Sequence, residues 1–487
     1  MGSTTWAALP TPLTINFVVG SGESVLLLAD ISRTQHDATL VNTQFRIVVD
    51  GTQEVALTNT GENAGFNFVP LSFHGVASGL SAGSHTAAVE YATVSGISRM
   101  PSNHDGYGMA RLTANTAPST QLVTASQFAT APSSAATSTV WAALPTPLSI
   151  TFTTTATESV LLLADISRVQ HALTNVNTQF RILVDGTQEV ALTNTGNAGG
   201  WAFNAITFHG WATGLSAGSH TAAVEYKTGS GSVHIPHHTA DGRGYLRLTA
   251  RTSPSTQLVT ASQFATVPSP AVTSTVWAAL PTPLSVTFTT AGATESVLLL
   301  ADISRVQHAA TNVNTEFRIL VDGTQEAALT NTGNAGGWAF RALRLHGVAT
   351  GLSAGSHTAA VEYKTRSGSV HIPHHTIDGQ GYLRVTVLSK PPPPPPPSPL
   401  PSPPPPATCT SNAECVSGEV CQTSTTGRRL FGASAAGQCV PAGSGRRRHL
   451  ATNQAASPRR RSGGHGGGWV GWGWGRSPPG DLHAVLH

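Results

Sequence analysis

The segment SVHIPHHTADGRGYLRL, starting at Ser232, places His234, His237 and His238 within five residues. It returns from Ser369 as SVHIPHHTIDGQGYLRV, with His371, His374 and His375 in the same places. Neutral imidazoles are good zinc or copper ligands, and the proline between them bends the chain so that two can converge. The same residues also suit a loop that contacts a ligand, or a strand edge and turn facing solvent. An earlier, more diverged copy reads SRMPSNHDGYG; it keeps Pro101 and His104 and loses the cluster. A structural metal would be needed in every copy, so no metal is expected. The six histidines remain candidate ligand contacts.

Carboxylates recur as Asp30, Asp165 and Asp302, as Asp50, Asp185 and Asp322, and as Glu90, Glu225 and Glu362. Acid–base catalysis needs two groups whose surroundings push their pKa values apart, and nothing in these spacings pairs any of them. The second set sits in Asp-Gly turns. No G-x-S-x-G elbow, P-loop or H-E-x-x-H helix is present, so neither an enzyme nor a cofactor is expected. His85, His220 and His357 open a strand on its apolar side and read as packed, hydrogen-bonded residues. Trp201 and Trp338 lie in a glycine-rich NAGGWAF turn, and Trp211 follows nearby. As exposed loop aromatics these three are candidates for stacking on sugar rings.

The elements that position these residues come in three copies. TTWAALPTPLTINF from Thr4 returns from Thr139 and Thr275, and ESVLLLADISR begins at Glu23, Glu158 and Glu295. VDGTQE begins at Val49, Val184 and Val321; GLSAGSHTAAVEY begins at Gly79, Gly214 and Gly351. A period of about 136 residues is domain-sized, so each copy should hold its own core. FRILVDGTQEVAL alternates apolar and polar positions up to Asp185-Gly186, the signature of a tight hairpin. HTAAVEY alternates again, and SVLLLADIS is a continuous apolar run suited to a strand buried on both faces. Short strands with frequent glycine turns predict an all-β fold of three tandem β-sandwich or jelly-roll repeats. The boundaries expected are 1–115, 119–251 and 255–390.

A strand-like leader, STQLVTASQFAT, starts at Ser119 and Ser255 and does not follow the third copy. It is therefore expected to lead each unit, and the first unit opens without one. From this we expect the natural start, with any secretory signal, to lie upstream. As flexible tethers of about 25–30 Å, such leaders would let three covalently joined units gather into an intramolecular pseudo-trimer.

Charged residues are only 10% of the chain, well under the roughly 25% of ordinary domains. The net charge of +3 divides into +6 from Ala407 onward and −3 before it, so the body has no basic face for nucleic acid. No apolar run is long enough for a membrane helix. Residues 391–406, PPPPPPPSPLPSPPPP, must form a polyproline II rod of roughly 50 Å. The segment 407–441 holds all four cysteines, Cys409, Cys415, Cys421 and Cys439, and almost no apolar core. It reads as a small module stapled by two disulfides, with zinc as the competing reading. Residues 442–487, rich in Arg and Gly with Trp469, Trp472 and Trp474, read as a disordered basic tail.

A Ser/Pro rod joining globular parts to a cysteine-stapled module resembles the pherophorin-like, hydroxyproline-rich matrix glycoproteins of green algae. The W-x-x-L-P opening, the FRILVDG hairpin and the L-x-A-G-x-H-T-x-x-V-E-Y strand are similar to the C1q/TNF-type jelly roll. These resemblances imply an extracellular glycoprotein of the cell wall or matrix and a trimer-forming, ligand-binding module. The function expected is structural or adhesive, with matrix glycans or matrix proteins as partners; a lectin-like carbohydrate-binding protein is the alternative.

Overall fold

The computed structural model describes residues 5–389 apart from 37–40, 63–68, 94–96, 101–108, 129–133, 174–175, 198–203, 230, 237–243, 265–269, 292–294, 309–312, 335–340, 367 and 373–381, and further on 408–409, 411, 415, 419–422 and 437–441. Among the described residues the chain is all-β with two short 3-10 turns, and no helix is long and apolar enough to cross a membrane. Two compact parts divide at Pro393 and Pro394.

The first part is built from one repeated β-sandwich, clearest in its middle unit. One sheet carries Ser149–Thr154 and Ala142–Ala143 on Gly218–Thr228, followed by Val176–Val184 and Gln188–Asn197. Asp185, Gly186 and Thr187 join the last two strands, with φ angles of 50° and 70° at Asp185 and Gly186 and the Thr187 N–H donating to the Val184 carbonyl at 3.2 Å, so the two central residues of the turn take the positive values expected of an Asp-Gly hairpin, with one residue more in the connection than the sequence suggests. The other sheet runs Leu122–Phe128, Tyr245–Pro254, Glu158–His171 and Asn204–Ala212, all antiparallel. The third unit repeats both sheets.

Alternation explains the core. Val160, Leu162, Ala164 and Ile166 of the long strand face the middle sandwich, packed against Phe180, Ile182 and Phe208. Equivalent clusters fill the other two units. The opposite face of the long strand, Leu161 and Leu163, joins Leu26, Leu28, Leu298 and Leu300 in a fourth cluster shared by all three units. SVLLLADIS is thus buried on both faces because its second face meets the neighbouring units.

The leaders are ordered strands, which corrects the expectation of flexible tethers. The first unit's strand Ala110–Pro118 turns through Ser119–Gln121 directly into Leu122–Phe128, which pairs with the second unit's Tyr245–Pro254. Leu258–Phe264 passes from the second unit to the third in the same way. Backbone ladder bonds reward this crossing, since an unpaired strand leaves its amides without partners.

The second part contains a three-stranded sheet in which Gly437–Pro441 lies between Thr408–Cys409 and Glu419–Gln422. Cys409 and Cys421 form a disulfide with Cα atoms 5.9 Å apart, and Cys415 is disulfide-bonded as well. The side chain of Cys439 lies outside the described residues, as do the rod at 391–406 and the tail at 442–487. With four cysteines in the chain, all within 407–441, unreduced mass spectrometry of that segment is expected to show a loss of four hydrogens. Four free thiols, or bound zinc, would refute the two-disulfide framework.

Candidate functional site

Polar chemistry concentrates where one unit meets the next. Asp165, in the second unit's long strand, lies directly across the sheet from Arg247. Both reach into the first unit. The backbone N–H of His74 donates to Asp165 Oδ2 at 2.8 Å, and His74 Nδ1 stands 2.7 Å from the same oxygen, off the line of a well-aligned hydrogen bond. Arg247 Nη1 donates to the His74 carbonyl at 2.5 Å. His74 Nε2 is 2.9 Å from Thr249 Oγ1.

The same arrangement closes the other two junctions. Asp302 of the third unit holds His209 of the second, with the N–H donating at 2.6 Å and Nδ1 at 2.7 Å. Arg384 donates to the carbonyls of His209 and Val190, and Thr386 meets His209 Nε2 at 2.9 Å. Asp30 of the first unit holds His346 of the third at 2.8 and 2.7 Å, Arg111 donates to the His346 and Ala327 carbonyls, and Thr113 meets His346 Nε2 at 3.2 Å. The contacts run from the first unit to the second, the second to the third and the third back to the first. The three units therefore form a closed ring.

Glycine makes the approach possible. A Cβ on Gly75, next to His74, would stand 2.5 Å from the Val55 carbonyl oxygen and 2.8 Å from Arg247 Nη1. The dipeptide His-Gly recurs as His209-Gly210 and His346-Gly347.

Burial pushes His74, His209 and His346 below the usual imidazole range, outweighing the carboxylate beside each. Burial alone would raise Asp30 and Asp165, but the charges and hydrogen bonds around them outweigh it and hold both below the ordinary carboxylate value. At the Asp165 and Asp30 junctions this favours an ionised carboxylate beside a neutral imidazole at neutral pH, with Arg247 or Arg111 on the neighbouring strand directly opposite the aspartate. Hydroxyl, imidazole and carboxylate in series form the set used for acyl transfer. Here the threonine, histidine and aspartate are all buried, and they lie at junctions between units. Their evident work is to hold the ring.

The sequence spacings pair none of these aspartates; the structure gives Asp30, Asp165 and Asp302 each a histidine from another unit. His74, His209 and His346 escaped the sequence analysis. The signal that could have found them was the His-Gly dipeptide, retained at one offset in all three copies, including the diverged first one.

The residues singled out from sequence fare differently. Trp211 is not an exposed loop aromatic: it lies in strand Asn204–Ala212 opposite Leu161, half-buried against the shared leucines. Strand alternation turns it toward the neighbouring unit. His234 and His371 lie in two-residue strands pairing with Gln170 and Gln307, flanked by buried Val233, Ile235, Val370 and Ile372. Trp201, Trp338, His237, His238, His374 and His375 lie outside the described residues. Among the described residues no three His, Cys, Asp or Glu side chains are placed to hold a metal. His85, His220 and His357 are hydrogen-bonded as expected, each 2.7 Å from the hairpin aspartate Asp50, Asp185 or Asp322.

No family model matches the chain, and no curated protein matches it. Among solved structures, the N-terminal CBM22-1–CBM22-2 tandem domain of Paenibacillus barcinonensis Xyn10C is 11% identical with a TM-score of 0.14, covering 50% of this chain and 86% of that one. The infectious bursal disease virus VP2 subviral particle is 7% identical with a TM-score of 0.17, covering 80% and 82%. The STIV MCP is 8% identical with a TM-score of 0.16, covering 50% and 97%. At TM-scores this low the likenesses carry no argument.

Proposed function

We propose that this chain is an extracellular structural or adhesion protein, in which a ring of three β-sandwich units is followed by a proline rod and a disulfide-stapled module. The observation that carries this reading is the ring itself. The Asp, His, Thr and Arg that recur in every copy are drawn into buried junctions, so the repeated polar chemistry serves assembly. A rigid body with three related outer faces suits repeated contact with matrix glycans or matrix proteins. The disulfide Cys409–Cys421 supports an oxidising compartment, and successive prolines support a stiff spacer.

An antibody raised against the three-unit body tests the placement. Staining of unpermeabilised source cells, with the protein retained in the detergent-insoluble matrix, is the expected result. Recovery only in the soluble interior would overturn it. Strong sugar-dependent binding on a glycan array would replace the structural reading with a lectin.

A further inference from the structure

One arginine of the ring has no acceptor and no acid opposite it. In the second unit's strand Tyr245–Pro254, Leu246, Leu248 and Ala250 face the sandwich core, so Arg247, Thr249 and Arg251 turn the other way. Arg247 donates to the His74 carbonyl of the first unit and to Ser126 Oγ, and Thr249 meets His74 Nε2. Arg251 continues this row. It is 4% exposed, and its Nε and Nη1 are buried without a hydrogen-bond partner. Arg111 and Arg384 donate to main-chain carbonyls across their own junctions. Arg344 also makes no hydrogen bond, but Asp302 lies directly across the strand pair from it. Directly across from Arg251 stand Leu122 on one side and Leu161 on the other.

Those two leucines belong to the cluster shared by all three units. The equivalent residue of the third unit is Leu388, which pairs with Leu258 and Leu298 in the same register and joins that cluster. A guanidinium therefore occupies a place that the fold also fills with leucine. Burial alone pushes it down to about 10, so it still carries its proton at neutral pH. A charge in such surroundings is costly unless an opposite charge and hydrogen bonds compensate it.

A second donor stands close by. Ser24, on the first unit's long strand, is two residues from Leu26 of the shared cluster and turns to the same face. It is buried, and its Oγ has no partner. Its third-unit counterpart, Ser296, lines one groove with Asn115, the first-unit counterpart of Arg251. The order of the ring makes Ser24 and Arg251 the corresponding pair at the junction of the first and second units. Water would satisfy these donors and leave the charge uncompensated. An anion supplies both acceptor and charge, and charge-assisted bonds from a guanidinium are strong. The enclosure admits only a compact ion.

We propose that Arg251, with Ser24 beside it, holds one small monovalent anion of chloride size at the junction of the first and second units. The anion accepts hydrogen bonds from Arg251 Nε and Nη1 and from Ser24 Oγ. It neutralises the guanidinium among the leucines and joins the first unit, the second unit and the leader strand Leu122–Phe128. The site forms only when the junction is closed, so anion concentration sets the stability of the ring.

The test uses the full chain at neutral pH. Urea unfolding is followed in sodium chloride and in sodium gluconate at equal ionic strength. The folding constant is expected to rise with chloride and, above the dissociation constant, to rise about tenfold for each tenfold in chloride. Arg251→Leu carries the residue that the third unit has in this place; it should fold and lose the dependence. Ser24→Ala keeps the guanidinium and should weaken chloride binding about fivefold, the worth of one hydrogen bond. Crystals grown in bromide should show an anomalous peak within hydrogen-bond reach of Arg251 and Ser24. Equal stability in chloride and gluconate, an unchanged chloride dependence in either variant, or only water against Arg251 in the bromide crystals would overturn the proposal.

Discussion

Asp165→Ala is expected to destabilise the three-unit body by about 3 kcal/mol, the scale for leaving a buried amide without its acceptor and a buried arginine without the nearby opposite charge. The carboxylate accepts the His74 backbone N–H and stands 2.7 Å from its Nδ1. Without it, the His74 amide loses its acceptor and Arg247 loses the charge across the strand pair, both in a buried setting. Urea unfolding followed by circular dichroism reads the change, and Asp302→Ala should show a loss of the same order. Glu54→Ala is the control. It removes a partner of Arg46 at 3.3 Å near the surface and should cost no more than about 1 kcal/mol. A loss at Asp165 no larger than at Glu54 would mean that the junctions do not hold the ring. Asp165→Asn keeps one oxygen for the amide and removes the charge, so its loss should fall between the two.

Legibility followed sequence distance. The hairpin at Asp185-Gly186 was readable because two adjacent residues suffice to force the turn, and their φ angles of 50° and 70° agree. The strand SVLLLADIS was readable as doubly buried because Val160 to Ala164 form an unbroken apolar run, although sequence gives no hint of what covers the second face. That cover is Leu26, Leu161 and Leu298 brought together from three units. Asp165 and His74 are 91 residues apart and belong to different copies, so comparison of copies with one another aligns each aspartate with aspartates and never with its partner. At both places where it occurs, the leader pairs with the last strand of the unit it precedes. Its order was missed because STQLVTASQF has only a short alternating stretch, Val123 to Ser126, and shows what it fills only when the edge of Tyr245–Pro254 is in view. Trp211 was misjudged for a related reason: a large aromatic after a glycine reads as a loop residue until strand pairing turns it inward.

Acidification from pH 7.5 to 4.5 is expected to weaken the ring, with the loss beginning near pH 6.5. His74, His209 and His346 are held below 6.5 by burial, and burial pushes His171 down to about 4. A histidine with a lowered folded pKa binds its proton more readily when unfolded, so stability falls as pH drops below the unfolded value. For His171 alone, the shift from 6.5 to about 4 amounts to roughly 2–3 kcal/mol by pH 4.5. Asp30 and Asp165, held below 3.8, keep their stabilising charge through this window and lose it only at lower pH. An opposing set exists. His85, His220 and His357 are raised by their hydrogen bonds to Asp50, Asp185 and Asp322, so their stabilisation is fully present below 6.5 and fades as pH rises above it. Their aspartate partners are close to half-exposed, so solvent and salt weaken this second set far more than the first. The net effect is therefore destabilisation in acid, steeper at high salt. His171→Gln, which can keep the hydrogen bond now made to Thr178 at 2.9 Å, should flatten the profile by about the His171 share. Urea midpoints that stay level or rise between pH 7.5 and 4.5, or a variant with an unchanged slope, would show that the buried histidines are not what limits the ring in acid.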